Sequence, residues 1–118
     1  MNFTSKLFGS VLLLISVLAF ANTETEIQHL LNYVATTSCQ YERNGDFHSG
    51  IDAKKHINKK YDYYKDDIHS AEDFIKYSAT QSTITKKKYK IHCADSPVEY
   101  SRDWLLEELS RYRNTEEL

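Results

Sequence analysis

The sequence predicts an α+β fold: one small domain of about four helices packed with a small antiparallel sheet, the sheet made of a hairpin plus one later strand. Three observations carry that prediction. Apolar residues recur at helical spacing in four separate segments. Asn44-Gly45 is the strongest short signal for a two-residue hairpin turn. Tyr89, Ile91 and Cys93 alternate with Lys88, Lys90 and His92, the pattern of a half-buried strand.

Residues 1–21 of the 118-residue chain read as a signal peptide, and 22–118 as the domain. Lys6 gives a short positive start, residues 7–20 are almost entirely apolar, and Ala19-Phe20-Ala21 places small residues where a signal peptidase cuts. That run is shorter than the roughly twenty residues of a membrane span; a retained anchor is the competing reading. No cysteine stands at the cleavage point, so a lipoprotein is not indicated. After cleavage no stable membrane insertion is expected, and the location implied is periplasmic.

The first helix is expected over 24–37, with Thr23-Glu24-Thr25-Glu26 as a capping box and Ile27, Leu30, Leu31 and Val34 facing inward. His29 falls off that stripe and reads as a surface residue. The hairpin follows at 39–43 and 46–48, with Cys39 and Tyr41 on one face. Ser49 caps a second helix over about 50–65, whose stripe runs through Ala53, Ile57, Tyr61, Tyr64 and on to Ile68. Lys54, Lys55 and Lys59 form its solvated face. Ser70-Ala71-Glu72-Asp73 opens a third helix, with Phe74, Ile75, Ser78 and Ala79 inward, fading near Gln81. Ser96 as cap and Pro97 at the first helical position predict a last helix over 97–113, with Val98, Leu105, Leu109 and Tyr112 inward and Trp104 at the border.

Cys39 and Cys93 are the two cysteines. In an exported chain an even pair favours a disulfide, which brings the later strand against the hairpin. The alternative is a metal site built from Cys39, Cys93, His92 and His48. Neither C-x-x-C nor H-x-x-x-H occurs, so zinc spacing is absent and no metal or cofactor is assigned. The formal net charge is −2, which argues against nucleic acid as a partner. Lys86-Lys87-Lys88 with Lys90 is the one basic cluster, read as a solvated loop and strand edge rather than an anion-binding patch.

Arg43-Asn44-Gly45-Asp46, His48-Ser49, Asp52-Ala53, His56 and Lys60 together resemble the YfeK-like family of small exported bacterial proteins. Ser70 to Ile75, the segment from Ser82 to Tyr89, and Trp104-Leu105 with Leu109 resemble further blocks of it. The resemblance implies a single envelope domain of unknown function and supplies no activity. Where the family pattern has Ser/Thr-Gly-Lys-Pro-Tyr, this chain has Thr85-Lys86-Lys87-Lys88-Tyr89. The residue most tolerant of positive φ is thereby lost.

Ser49, Ala53, His56 and Lys60 form one narrow stripe beside the apolar stripe of the second helix. The candidate ligand-binding residues are therefore Arg43, Asn44, His48, His56, Lys60 and Glu72. Arg43 would grip a carboxylate or phosphate, Lys60 would add charge, and a histidine would move a proton. The structural alternative has Arg43 paired with Glu72 and His56 bonded to a hairpin carbonyl, a network that fixes shape alone. No nucleophile motif is present, and Asp66-Asp67 and Glu107-Glu108 read as surface charges. The function expected is a non-catalytic binding or interaction module of the bacterial envelope, and the partner expected is an envelope protein or a small anionic ligand. The alternative is a small hydrolase-like enzyme or an anionic-ligand binder using an Arg43/His56/Lys60 cleft. An enzyme or anion binder should show a cleft at Arg43, His56 and Lys60; a protein binder should show a flat apolar patch near Tyr63 or Trp104.

Overall fold

The computed structural model describes residues 22–116; the signal-peptide reading falls outside them. The elements are helix α1 (22–36), strands β1 (Gln40–Arg43) and β2 (Asp46–His48), helix α2 (Gly50–Tyr64) running into a 3-10 turn (Lys65–Asp67), helix α3 (Ala71–Ser78), strands β3 (Lys90–His92) and β4 (Glu99–Tyr100), and helix α4 (Ser101–Glu116). Among the described residues no helix is long and apolar enough to cross a membrane.

Four helices and one antiparallel sheet confirm the α+β prediction. The sheet order is β2-β1-β3-β4, so the hairpin meets the later strand along β1. Asn44 and Gly45 take φ of 54° and 85°, which lets the chain reverse in two residues between Arg43 and its partner Asp46. Tyr41 faces Ile91 across the β1–β3 pair, and both are buried. At the end of that pair Cys39 and Cys93 form a disulfide, with an S–S distance of 2.02 Å. Both sulfurs are consumed in it, so neither can serve as the thiolate ligand of the metal alternative.

The helical stripes bury as their spacing predicts. Leu30, Ile57, Phe74, Ile75 and Leu105 are among the side chains in the one core, each contributing about 1.5–3 kcal/mol by leaving water. Ser49 Oγ accepts from Asp52 N at 3.2 Å and Ser70 Oγ from Asp73 N at 3.0 Å, which fixes where α2 and α3 begin. Gly50 sits so close to the end of α1 that a Cβ there would lie 2.3 Å from the Val34 carbonyl oxygen.

Five local expectations are overturned, the reading of Glu108 as a surface charge among them. The last helix starts at Ser101, not Pro97, and Val98 is exposed. Residues 99–100 join the sheet instead, and the first turn of α4 is anchored by Ser101 N donating to Tyr89 O at 2.9 Å and by a 2.9 Å bond between buried Ser101 Oγ and Tyr41 OH. Sheet pairing outweighs the proline start signal there. At the other end Thr23 is already helical, and Glu26 accepts from Arg113 at 2.7 and 3.0 Å. A two-pronged guanidinium bond is stronger than the cap bond expected of Glu26. His29 is not a surface residue: it bonds Glu108 at 2.6 Å and stacks on Tyr112. Glu108 is buried, held by Arg111 through two bonds of 2.7 Å, and those bonds keep its carboxyl below the usual range.

Candidate functional site

Helix α2 places His56 and Lys60 one turn apart at the edge of its apolar stripe, where both are half-buried. The end of β1 supplies Arg43 and the hairpin turn supplies Asn44. The third wall is the loop 81–88, which shapes itself: Ser82 N donates to Lys87 O at 2.9 Å, Lys86 N to Ser82 O at 3.0 Å, and Tyr89 N to Thr80 O at 3.0 Å. Lys86 adopts φ of 63°, a left-handed conformation that favours glycine. Thr85 Oγ1 donates to Asn44 Oδ1 at 2.6 Å and ties this loop to the hairpin.

These walls enclose an open cleft of about 380 Å³. Arg43, Asn44, His56 and Lys60 all line it, with Ser82, Thr83 and Ile84 from the loop and Tyr89 beneath. The Tyr89 ring is buried and its hydroxyl lies 3.0 Å from His56 Nε2. Lys60 Nζ donates to that hydroxyl at 3.2 Å and to the Gln81 carbonyl at 2.6 Å. The order of donation follows from charge. The ammonium can only donate, which leaves the Tyr89 hydroxyl hydrogen free to donate a hydrogen bond to His56 Nε2 in the tautomer protonated at Nδ1.

Electrostatics agrees with that assignment. Burial first, then the charges of Arg43 and Lys60, holds the His56 pKa down to about 4. Burial, then Arg43 and Lys86, brings Lys60 down to about 8. Burial raises the Tyr89 hydroxyl. Among the described residues the ion pairs use Arg102, Arg111, Arg113, His29 and His92. None involves Arg43 or Lys60, so the cleft presents uncompensated positive charge.

Two expected partners lie elsewhere. Glu72 accepts from Arg113 at 2.8 and 3.0 Å, which lowers its pKa, and it does not line the cleft. The expected Arg43–Glu72 pair is therefore not formed, and His56 bonds Tyr89 rather than a hairpin carbonyl. His48 does not line the cleft. It lines an adjoining cavity of about 20 Å³ that shares Arg43, His56 and Tyr89 with it and also bears Asp52, and its Nε2 is buried without a hydrogen-bond partner among the described residues. Trp104 is buried and so belongs to no surface patch, whereas Tyr63 is 82% exposed.

Sequence reasoning missed Tyr89, whose alternation marked it only as an inward strand residue. It also missed Ser82, Thr83 and Ile84, which have no periodicity to betray them. Their one signal is that they share a short block with Tyr89, close before a strand whose partner is the hairpin.

No curated protein and no solved structure gives a significant match to the chain. Residues 21–113, most of the chain, match a family of unknown function, DUF5329, and the protein belongs to that family.

Proposed function

We propose that this protein is a non-catalytic binding module that holds a small anionic ligand in the Arg43–Lys60 cleft. The observation that carries the reading is the meeting of Arg43, His56 and Lys60 on one open cavity with no carboxylate on its walls. A guanidinium and an ammonium with no anion of their own are ready donors for a carboxylate or phosphate. Against catalysis stands the lack, among the described residues, of a serine, threonine or cysteine paired with a base, and the hydroxyl that does meet His56 belongs to buried Tyr89, where burial disfavours the phenolate. His56 contacts Tyr89, and Ser82 Oγ is occupied by Thr85 N at 3.2 Å. Export through residues 1–21 to the bacterial periplasm, as in the YfeK-like proteins the sequence resembles, fits both the apolar leader and the disulfide.

Titration of ¹⁵N-labelled protein with malonate and with inorganic phosphate tests the reading. Saturable shifts are expected at Asn44 and across 82–89. Arg43→Gln should weaken binding about tenfold or more, the scale of a hydrogen bond to a charged group. Absence of saturable shifts, or unchanged binding in both Arg43→Gln and Lys60→Gln with native spectra, would overturn it.

A further inference from the structure

We propose that the cleft is the central subsite of a longer basic track that binds a linear acidic polysaccharide of the polyuronate type. The proposal rests on the small-anion reading of the cleft and extends it. On one side a cavity of about 390 Å³ shares Lys60 and Thr83 with the cleft and continues past Lys76 and Lys86. On the other a cavity of about 260 Å³ shares Asn44 and runs past Lys87, Lys88 and Lys90. The three therefore adjoin one another through shared lining residues.

Its charge is predominantly positive. The carboxylate on its walls is Glu42, and that group is taken by His92 Nε2 at 2.7 Å. Among the described residues no lysine enters an ion pair, while Arg102, Arg111 and Arg113 are all matched by carboxylates. In a chain with a formal charge of −2, the walls of this surface thus carry five lysines besides Lys60 and Arg43 against one carboxylate, Glu42. A groove lined by one sign concentrates ligands of the other. The lysine-rich loop is exposed: Lys86 lines one flank of the track, and Lys87 and Lys88, with Lys90 of β3, line the other. As part of the track this cluster binds anions, which departs from its sequence reading as a solvated edge and no anion-binding patch.

The aromatic residues decide between classes of polyanion. Lys60 lies over the Tyr89 ring at 5.1 Å, Lys76 over Tyr77 at 5.3 Å and Lys88 over Tyr100 at 4.9 Å. Tyr77 is also stacked against Tyr64. Single-stranded nucleic acid needs open ring faces on which bases stack, and here ammonium groups and a second ring cover them. What the track offers is ammonium groups together with the hydroxyls of Tyr64 and Thr83, which lie 3.3 Å apart, share one hydrogen bond and keep further donor and acceptor capacity; the Tyr89 hydroxyl is engaged by Lys60 and His56. A sugar chain that repeats carboxylate and hydroxyl groups matches that surface.

The test is calorimetry at fixed ionic strength with galacturonate and its oligomers up to the hexamer. Affinity should rise at least about tenfold from monomer to hexamer, since linked weak contacts reinforce one another. Lys76→Gln and Lys88→Gln, both exposed positions, should each weaken the hexamer about threefold or more and leave the monomer unchanged, as expected of flanking contacts. Equal affinity for monomer and hexamer, with monomer binding still lost in Arg43→Gln, would overturn the track and leave the small-anion site standing. Binding of neither, by protein that also ignores malonate, would overturn both. Oligothymidylate of matched charge binding as tightly as the hexamer would overturn the polysaccharide assignment.

Discussion

Adding malonate to this protein at pH 8 should draw a proton from solution onto Lys60. The free side chain, held at about pKa 8 by burial and by Arg43 and Lys86, is about half protonated there. A carboxylate seated between Arg43 and Lys60 favours the ammonium, so binding must raise that pKa. Stabilising the charged form by only ~1.4 kcal/mol raises it about one unit, to near 9. Protonation at pH 8 then climbs from about one half to about nine tenths, an uptake of ~0.4 proton per site. Linkage gives the sign for affinity: binding weakens as pH rises through 8 to 9, by up to about tenfold, and is flat near pH 6. Calorimetry in buffers of different ionisation enthalpy reads the uptake directly. Lys60→Arg keeps the positive charge but cannot titrate in this range, so it should bind without uptake. Uptake below about 0.1 proton in the wild type, or equal uptake in Lys60→Arg, would refute the placement of the anion against Lys60.

Other perturbations address the frame that holds the cleft. Gly50→Ala should cost about 2–3 kcal/mol, because its Cβ would meet the Val34 carbonyl oxygen at 2.3 Å and a backbone atom cannot swing away; urea denaturation checks it, with exposed Ile51→Ala as the neutral control. Replacing Cys39 and Cys93 together by serine should remove about 4 kcal/mol, the chain-entropy value for residues 54 apart in sequence, seen as a lower urea midpoint. Lys86→Gly should stabilise the fold by about 0.5–1 kcal/mol, since relief of a left-handed lysine exceeds the entropy glycine adds to the unfolded chain. The same change should weaken hexamer binding in calorimetry, because it deletes a cation of the track. For His56 the folded pKa of about 4 lies below the unfolded 6.5, so the unfolded chain binds the extra proton between them. Its contribution to stability is therefore complete above about pH 6.5 and is lost as pH falls towards 4. The ring is half exposed, which cuts the loss to about 1–2 kcal/mol, and His56→Gln should flatten that part of the pH–stability curve.

Most of the frame was legible because it rests on local rules. Periodicity marked Leu30, Ile57 and Phe74 as core, cap residues marked Ser49 and Ser70, and Asn44-Gly45 marked the hairpin. Where the reading failed, a distant group had outcompeted a local one. Arg113 took Glu26 from its cap and Glu72 from the cleft, and β3 claimed residues 99–100 before the helix could start at Pro97. Half of the cleft was legible for the same reason. His56 and Lys60 share a helical stripe, and Arg43 lies in the strand just before it. The loop wall was illegible because its partners, Asn44 and Lys60, are many residues away and leave no periodic trace.

The distribution of charge explains why such a small domain keeps an expensive lysine. Burying Lys60 against Arg43 and Lys86 disfavours its ammonium, so at neutral pH the fold is less stable than with the same side chain in water. A carboxylate on the cleft wall would remove that cost, and the protein has carboxylates to spare. It uses them around α4, where Glu108 of that helix, Glu26 of α1 and Glu72 of α3 neutralise Arg111 and Arg113. The loop likewise retains a lysine at φ 63°, where glycine would be strain-free. Both features weaken the folded state and both add positive charge to the cleft region. Strain and desolvation persist where surrounding structure enforces them and function repays them. An anion arriving in the cleft supplies the missing counter-charge, so binding would recover stability that folding gave up.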